Sequence, residues 1–431
     1  MKTLVFTMAS FANVAMFAAP ILNGQTTEAR TMNTQGKTVL YAAVGAEIIQ
    51  YRVERSTASL TKQSAVTLPA NVQEAWLSPS KQHLYVAWSN GGASYPSSDG
   101  TPPKGDHHGI SAFRINPVSG ALTPHGDPSS LPSRPIFVTT DVGGTNVITA
   151  HNDPSGLTVH QILPDGTVGK EIPSPGKLDF GVYGHQVRVD PSGKTVILVT
   201  RGNGPTAANA EDPGALKIFN FSNGILSNRL SIAPGGGFGY QVRHLDFHPS
   251  GKWVFVTLER QNLLHTYRRT PDGSLDPTPL FVKSTLMKAT TALTTQTAAS
   301  VHVHPKGGFV YVANRAFDTV EFNGKQVFAG GENTIAVFSI NQQSGEPKLI
   351  QSADTQGFQP RTFALDATGS LLAVANQSPL AVRDGNGART VSASLTLFRV
   401  GADGKLQFAR KYDIETGPGR NLFWTGFVSL P

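Results

Sequence analysis

The sequence predicts an all-β fold, a seven-bladed β-propeller of four-stranded antiparallel blades, and three observations carry that reading. Glycine and proline are abundant, at 44 and 29 of 431 residues, as turn-rich chains require. A hairpin with a turn resembling Asp-Pro-Ser-Gly-Lys recurs along the chain. A short strand of alternating apolar residues follows each hairpin, and there are seven such strands. Self-similarity of this kind marks architectures in which each unit buries its apolar faces only against its neighbours.

The clearest hairpins are residues 186–201 (QVRVDPSGKTVILVTR), 244–259, 300–315 and 362–377, with weaker copies at 72–89 and 136–152. A half copy, GKTVLYAAVG, opens the repeat at residue 36. The strands that follow are 48–53, 110–115, 157–162, 216–221, 263–268, 335–340 and 395–400. Period-two alternation between turn signals indicates strands, and radial closure protects the edges of many short sheets. Because the repeat begins in the middle of a blade, its inner strand must come from elsewhere. The spare segment NLFWTGFVSL, residues 421–430, is expected to supply it and close the ring. Interruptions at 90–108 and 284–299 read as loops at blade edges, either folded over the channel mouth or simple surface insertions.

Residues 1–30 read as a signal peptide and leader. Lys2 precedes a mostly apolar run over 4–22, interrupted by Asn13 and Pro20. Export places the protein in the periplasm or outside the cell; without a functional signal, the same segment is a tail on a cytoplasmic protein. Residues 31–431 are expected to form one propeller domain, with a monomer as the expected state. No later segment reaches the ~20 apolar residues of a membrane helix, so no membrane partner is expected. A net charge of +7 favours small acidic molecules. The basic residues are scattered rather than gathered into a stripe with interleaved aromatics, which excludes the usual nucleic-acid reading. The absence of cysteine excludes disulfides, thiolate nucleophiles and Cys-ligated zinc.

Residues equally far before and after a hairpin turn sit side by side at its open end. This pairs Gln73 with Ser89, Ile136 with Asn152, His185 with Arg201, Arg243 with Glu259, Ala299 with Arg315, and Arg361 with Gln377. With every turn at the opposite end, all six pairs line one mouth of the channel. Arg243 with Glu259 reads on its own as a cross-strand ion pair, and His185 on its own as a hydrogen-bonded rim histidine. Several arginines around one carboxylate and one imidazole exceed what pairing requires and suit an anionic ligand, such as a small lactone or organic acid.

These residues resemble the seven-bladed lactonase family, which contains bacterial 6-phosphogluconolactonase and fungal carboxymuconate cyclase, over residues 36–430. The resemblance is most specific at His185 and Gln186, at Arg243 and His244 followed by Phe247, His248 and Pro249, and at Glu259. Asn314 with Arg315, Pro360 with Arg361, and Gln377 complete it. It implies that His185 and Glu259 are an acid/base pair and that Arg243 and Arg315 bind a carboxylate or phosphate and steady developing negative charge. Arg201, His244, Arg361 and Gln377 are implied to bind substrate. Lactone opening needs a base, oxyanion donors and an acid for the leaving alkoxide, and the same groups suit the reverse, cyclising direction. No cofactor and no metal are implied.

The family pattern often carries Arg at Ser89, His at Phe137, Tyr at Asn152 and Asn at Leu258. These departures point to a lactone of a sugar or organic acid other than 6-phosphogluconolactone. A cycloisomerase and a non-catalytic extracytoplasmic binding propeller are the alternatives. His302 and His304 share a strand face, yet no carboxylate is spaced to complete a metal site, so they read as packed or exposed side chains, as does His248. His107 and His108 fall in an insertion and signal nothing firm. The glycines of 235–239 precede no helix and make no phosphate loop; they read as a flexible approach to the mouth.

Overall fold

The computed structural model describes residues 37–92, 103–207, 209–288 and 295–431. The expected leader and the central parts of both long insertions, 93–102 and 289–294, lie outside the described residues.

Strand Thr38–Val44 shows why the second strand of each blade is apolar throughout: all seven of its residues are buried. Alternate side chains leave on opposite faces. Val39, Tyr41 and Ala43 pack with Val72, Val86 and Trp88 of the next sheet, while Leu40, Ala42 and Val44 meet Ala373, Leu395 and Leu397 of the sheet on the other side. A sheet covered on both faces has no place for a polar stripe. Thr195–Thr200, Trp253–Leu258 and Leu371–Asn376 are buried in the same manner.

Seven antiparallel sheets result, each built on four main strands. The seven expected third strands are all present, as Glu47–Glu54, His108–Ile115, Ser155–Ile162, Ala215–Ser222, Leu263–Arg268, Thr334–Ile340 and Ser394–Val400. Leu422–Ser429 pairs antiparallel with Thr38–Val44, so the last strand is the inner strand of the blade that opens the chain, and the ring closes as expected.

Neighbouring blades are also fastened by a repeated polar contact. The hydroxyls of Tyr41, Tyr85 and Tyr311, each on a second strand, donate to the carbonyls of Gly120, Gly166 and Gly404 in outer turns of the next blade, at 2.5, 2.9 and 2.9 Å. Gly166 has φ +92°, and a Cβ there would lie 2.2 Å from the His83 ring. Only glycine combines that backbone with that approach.

Two features differ from the sequence reading. Every inner strand carries an extra residue at the mouth end, so the observed partners are Asn71↔Ser89, Gly184↔Thr200, Val242↔Leu258, Ala298↔Asn314 and Pro360↔Asn376. The expected pairs are therefore displaced by two residues at the mouth: Ser89 faces Asn71 rather than Gln73, and Arg315 faces Thr297 rather than Ala299. Gln73, Ile136, His185, Arg243, Arg361 and Phe423, and the pair Ala299–Ser300, occupy these bulges. A bulge leaves a residue out of the ladder and re-aims its side chain. Secondly, two hairpins were not anticipated: Thr319–Phe322 with Lys325–Phe328, and Leu380–Asp384 with Gly387–Val391. They rise from the mouth ends of adjacent blades and touch where Asn323 Nδ2 donates to Asn386 O at 2.9 Å.

Replacing Tyr85 with Phe removes one inter-blade hydrogen bond and leaves a buried carbonyl unpaired. Chemical denaturation is expected to show a loss of about 1–3 kcal/mol. Gly166→Ala, which strains both backbone and packing, is expected to lower the melting temperature further than Tyr85→Phe.

Candidate active site

Glu259 follows directly on strand Trp253–Leu258, its amide donating to Gln241 O at 2.7 Å. Its carboxylate is only 6% exposed and meets three guanidiniums. Arg201 Nη1 stands at 3.2 Å, Arg243 Nε at 3.3 Å, and Arg315 Nη2 donates to the same carboxylate. Arg201 and Arg315 stand at corresponding ends of the second strands in the flanking blades, so three blades converge on one anion. Burial alone raises the carboxyl's pKa, but Arg201, Arg315 and Arg243 outweigh it and hold Glu259 well below the usual carboxylate range. It is ionised at neutral pH and a weak proton acceptor.

Positive charge exceeds that one partner. Arg243 is 1% exposed, and its Nε and Nη1 have no hydrogen-bond partner; Nε lies within ion-pair range of Glu259 but is misaligned for a hydrogen bond. Burial, then Arg315, push its pKa well down. Arg361 stacks 4.0 Å above the Phe423 ring, and burial with Arg315 lowers its pKa to about 9. Guanidiniums keep their protons in proteins, so these shifts register crowded like charge that an anion would relieve. Arg201, Glu259, Arg315, Arg361 and Gln377 line one mouth cavity of about 400 Å³, together with Thr297, Phe317 and Gln359.

The two histidines are placed differently. His185 is 5% exposed, does not line that mouth cavity, and has an unpartnered Nδ1. Burial, then Arg243 and Arg361, drive its pKa well below 6.5, so it is neutral. Its ring lies 5.1 Å from that of His244. His244, expected beside the mouth arginines, instead lines a second cavity of about 410 Å³ toward the turns, with Glu74, Trp76, Phe137, His302 and Trp424. The bulge at Arg243 re-aims the strand locally: Arg243 reaches Glu259, while the next residue, His244, faces the second cavity. Nearer the turns, His248 Nε2 and His304 Nε2 meet Gly307 O and Gly369 O at 2.8 and 3.1 Å, tying each turn to the next blade's.

Three further polar residues escaped the sequence reading. Arg134 is buried and donates through Nε and Nη2 to Gln73 Oε1 at 3.0 and 2.8 Å. Tyr183 lies under Arg201, whose guanidinium is 4.0 Å from the ring centre, and it shares a cavity with Asn152. The arc holding Ser89, Phe137 and Asn152 is thus repopulated from neighbouring positions. A signal existed: Arg134 and Tyr183 both stand two residues before a bulge, where Asn71, Gln241, Thr297, Gln359 and Asn421 stand in the other blades. Glu74 faces the second cavity, and burial pushes its pKa up to about 8 against the opposing pull of the Ala75 amide and Arg361.

A seven-bladed ring whose mouth gathers guanidiniums around one carboxylate is a propeller with an excess of fixed positive charge at one end of its channel. The chain belongs to the family described as "Lactonase, 7-bladed beta-propeller", which matches residues 34–383. It is 27% identical over 273 residues to 6-phosphogluconolactonase of Bacillus subtilis, covering 62% of this chain and 70% of that protein. It is 26% identical over 364 residues to 6-phosphogluconolactonase of Klebsiella pneumoniae, covering 83% and 90%. Among solved structures, the periplasmic gluconolactonase of Pseudomonas aeruginosa superposes with a TM-score of 0.67 at 17% identity, over 92% of this chain and 100% of that one.

Glu259→Gln strands three guanidiniums without their counter-charge, and denaturation at pH 7 is expected to show a loss of about 3–5 kcal/mol. The folded carboxyl has a depressed pKa, so its stabilisation is complete above the ordinary value of 4.5 and disappears as pH falls through the folded one. The gap between wild type and variant should therefore narrow below pH 4.5.

Proposed function

We propose that the chain is a hydrolase that opens a small anionic lactone of a sugar or organic acid at the arginine-rich mouth. The observation that carries this reading is Arg243: a fully buried guanidinium with unpartnered N–H groups, set behind the cavity wall to which Arg201, Arg315 and Arg361 contribute. Carboxylates and phosphates match guanidinium forks, and donors already fixed in a dry site are suited to the oxyanion that forms on the lactone carbonyl. The names of the relatives, 6-phosphogluconolactonase and gluconolactonase, support lactones as the substrate class.

In this reading Glu259 orders the arginines, because its proton affinity is too low for an efficient base. Arg243 and Arg315 hold the substrate's anionic group and the oxyanion, Arg201, Arg361 and Gln377 complete the cavity wall, and neutral His185 supports Arg243. The mechanism uses no metal. The different side chains at Ser89, Phe137 and Asn152, with Arg134 and Tyr183 supplied instead, favour a substrate other than 6-phosphogluconolactone. The protein acts as a monomer, exported by its N-terminal segment; the periplasmic neighbour is consistent with that location.

A panel of sugar and organic-acid lactones, assayed by acid release with a chelator present, is expected to yield turnover. Arg315→Met is expected to lower kcat/KM about 10²–10³-fold on the best substrate. Anion-induced thermal stabilisation without any turnover would instead mark a binding protein.

A further inference from the structure

We infer that Tyr183 is a further catalytic residue of this site, its phenol exchanging a proton with the reacting lactone from a position between Arg134 and Arg201. The inference rests on the lactonase reading and names a group to which neither sequence nor family gives a part. The observations are geometric. Tyr183 lines a cavity of about 260 Å³ with Asn152, Ser155 and Asn203. Its ring carries the Arg201 guanidinium at 4.0 Å, and Arg201 itself lines the 400 Å³ mouth cavity. Its hydroxyl lies in the field of two guanidiniums, those of Arg201 and Arg134. Its backbone has φ +57°, a left-handed conformation unfavourable for a bulky side chain, and its carbonyl accepts from Arg201 N at 2.9 Å. Strained residues held by their surroundings concentrate at functional sites.

The other mouth residues leave the task open. Glu259 is neutralised by three guanidiniums, the arginines retain their protons, and burial with Arg243 drives the pKa of His185 well down, which leaves it a weak base. Asp153, which shares the Tyr183 cavity, pairs with Lys104 at 3.1 Å. The charged groups facing the phenol are Arg201, Arg134 and, opposing them, Glu259; burial raises its pKa, but the two guanidiniums prevail and bring it below 10.

The step balances without a further reagent. The phenolate takes a proton from water as the water oxygen bonds to the lactone carbonyl carbon. The ring C–O bond then breaks, its electron pair goes to the ring oxygen, and that oxygen takes the proton back from the phenol. The product is the open hydroxy acid, whose carboxyl proton leaves to solvent, and Tyr183 returns to its starting state.

The test compares wild type, Tyr183→Phe and Arg134→Gln in two measurements. Ultraviolet titration should reveal one phenol ionising below pH 10 in the wild type, absent from Tyr183→Phe and moved upward in Arg134→Gln. On the best lactone of the panel, Tyr183→Phe should lose about 10²-fold or more in kcat with little change in KM. The wild-type rate should climb with pH to a plateau at the phenol's pKa; Tyr183→Phe should lack that limb, and Arg134→Gln should carry it at higher pH. A merely structural tyrosine would leave the limb in place. If Tyr183→Phe does not fold, the shift of the limb in Arg134→Gln decides alone. An active protein whose Tyr183→Phe form keeps its kcat, or whose limb stays put in Arg134→Gln, overturns the inference alone. A wild type that opens no lactone overturns it together with the lactonase reading.

Discussion

Glu259 and Arg243 sit where water barely reaches, with Arg201 and Arg315 between them and the mouth, and a charged group in such a place needs walls that cannot relax. The ring supplies them. Each blade presents to the axis an inner strand held on both faces by apolar neighbours, so the strand ends have little freedom to splay. The cluster is therefore pre-arranged by packing, and its unspent positive charge is fixed in place before a ligand arrives. Preorganised donors of this kind act without reorganisation when charge develops.

The bulges divide the channel. Arg361 at its bulge and Arg201, Glu259, Arg315 and Gln377 at the second-strand ends look to the mouth, whereas the residues just after the bulge, His244 and Glu74 among them, face the cavity nearer the turns. Two environments of opposite character result. One is cationic and open through loops and the two extra hairpins. The other has aromatic walls and a carboxyl whose raised pKa leaves it mostly protonated at neutral pH. His185, packed against His244, belongs to the partition between them.

Much of the fold was legible because a propeller repeats its signals. Seven third strands and the spare segment near the end of the chain were readable from alternation alone, and each occupies its expected place. The bulges were not readable, since an extra residue in one strand leaves the alternation on either side intact and shows only in the partner's register. That is why the convergence of Arg201, Glu259, Arg315, Arg361 and Gln377 was foreseen while the place of His244 was not. The two extra hairpins did leave a trace: Asn323 and Gly324 have φ +50° and +76°, the demand of a tight hairpin turn that Asn-Gly satisfies. Arg134 and Tyr183 were missed because counting stopped at the bulge position, two residues short of them.

The pairing of Thr38 with Ser429 has a kinetic corollary. The blade met first along the chain is the last to be completed, because its inner strand is contributed from the far end of the same polypeptide. Contacts of such long sequence separation form late and slowly. Until then the paired strands at the start of the ring have an uncovered inner edge, a template for unwanted pairing with another chain. A protein made this way profits from being kept unfolded until it is whole, a condition that passage through a translocon in extended form would meet.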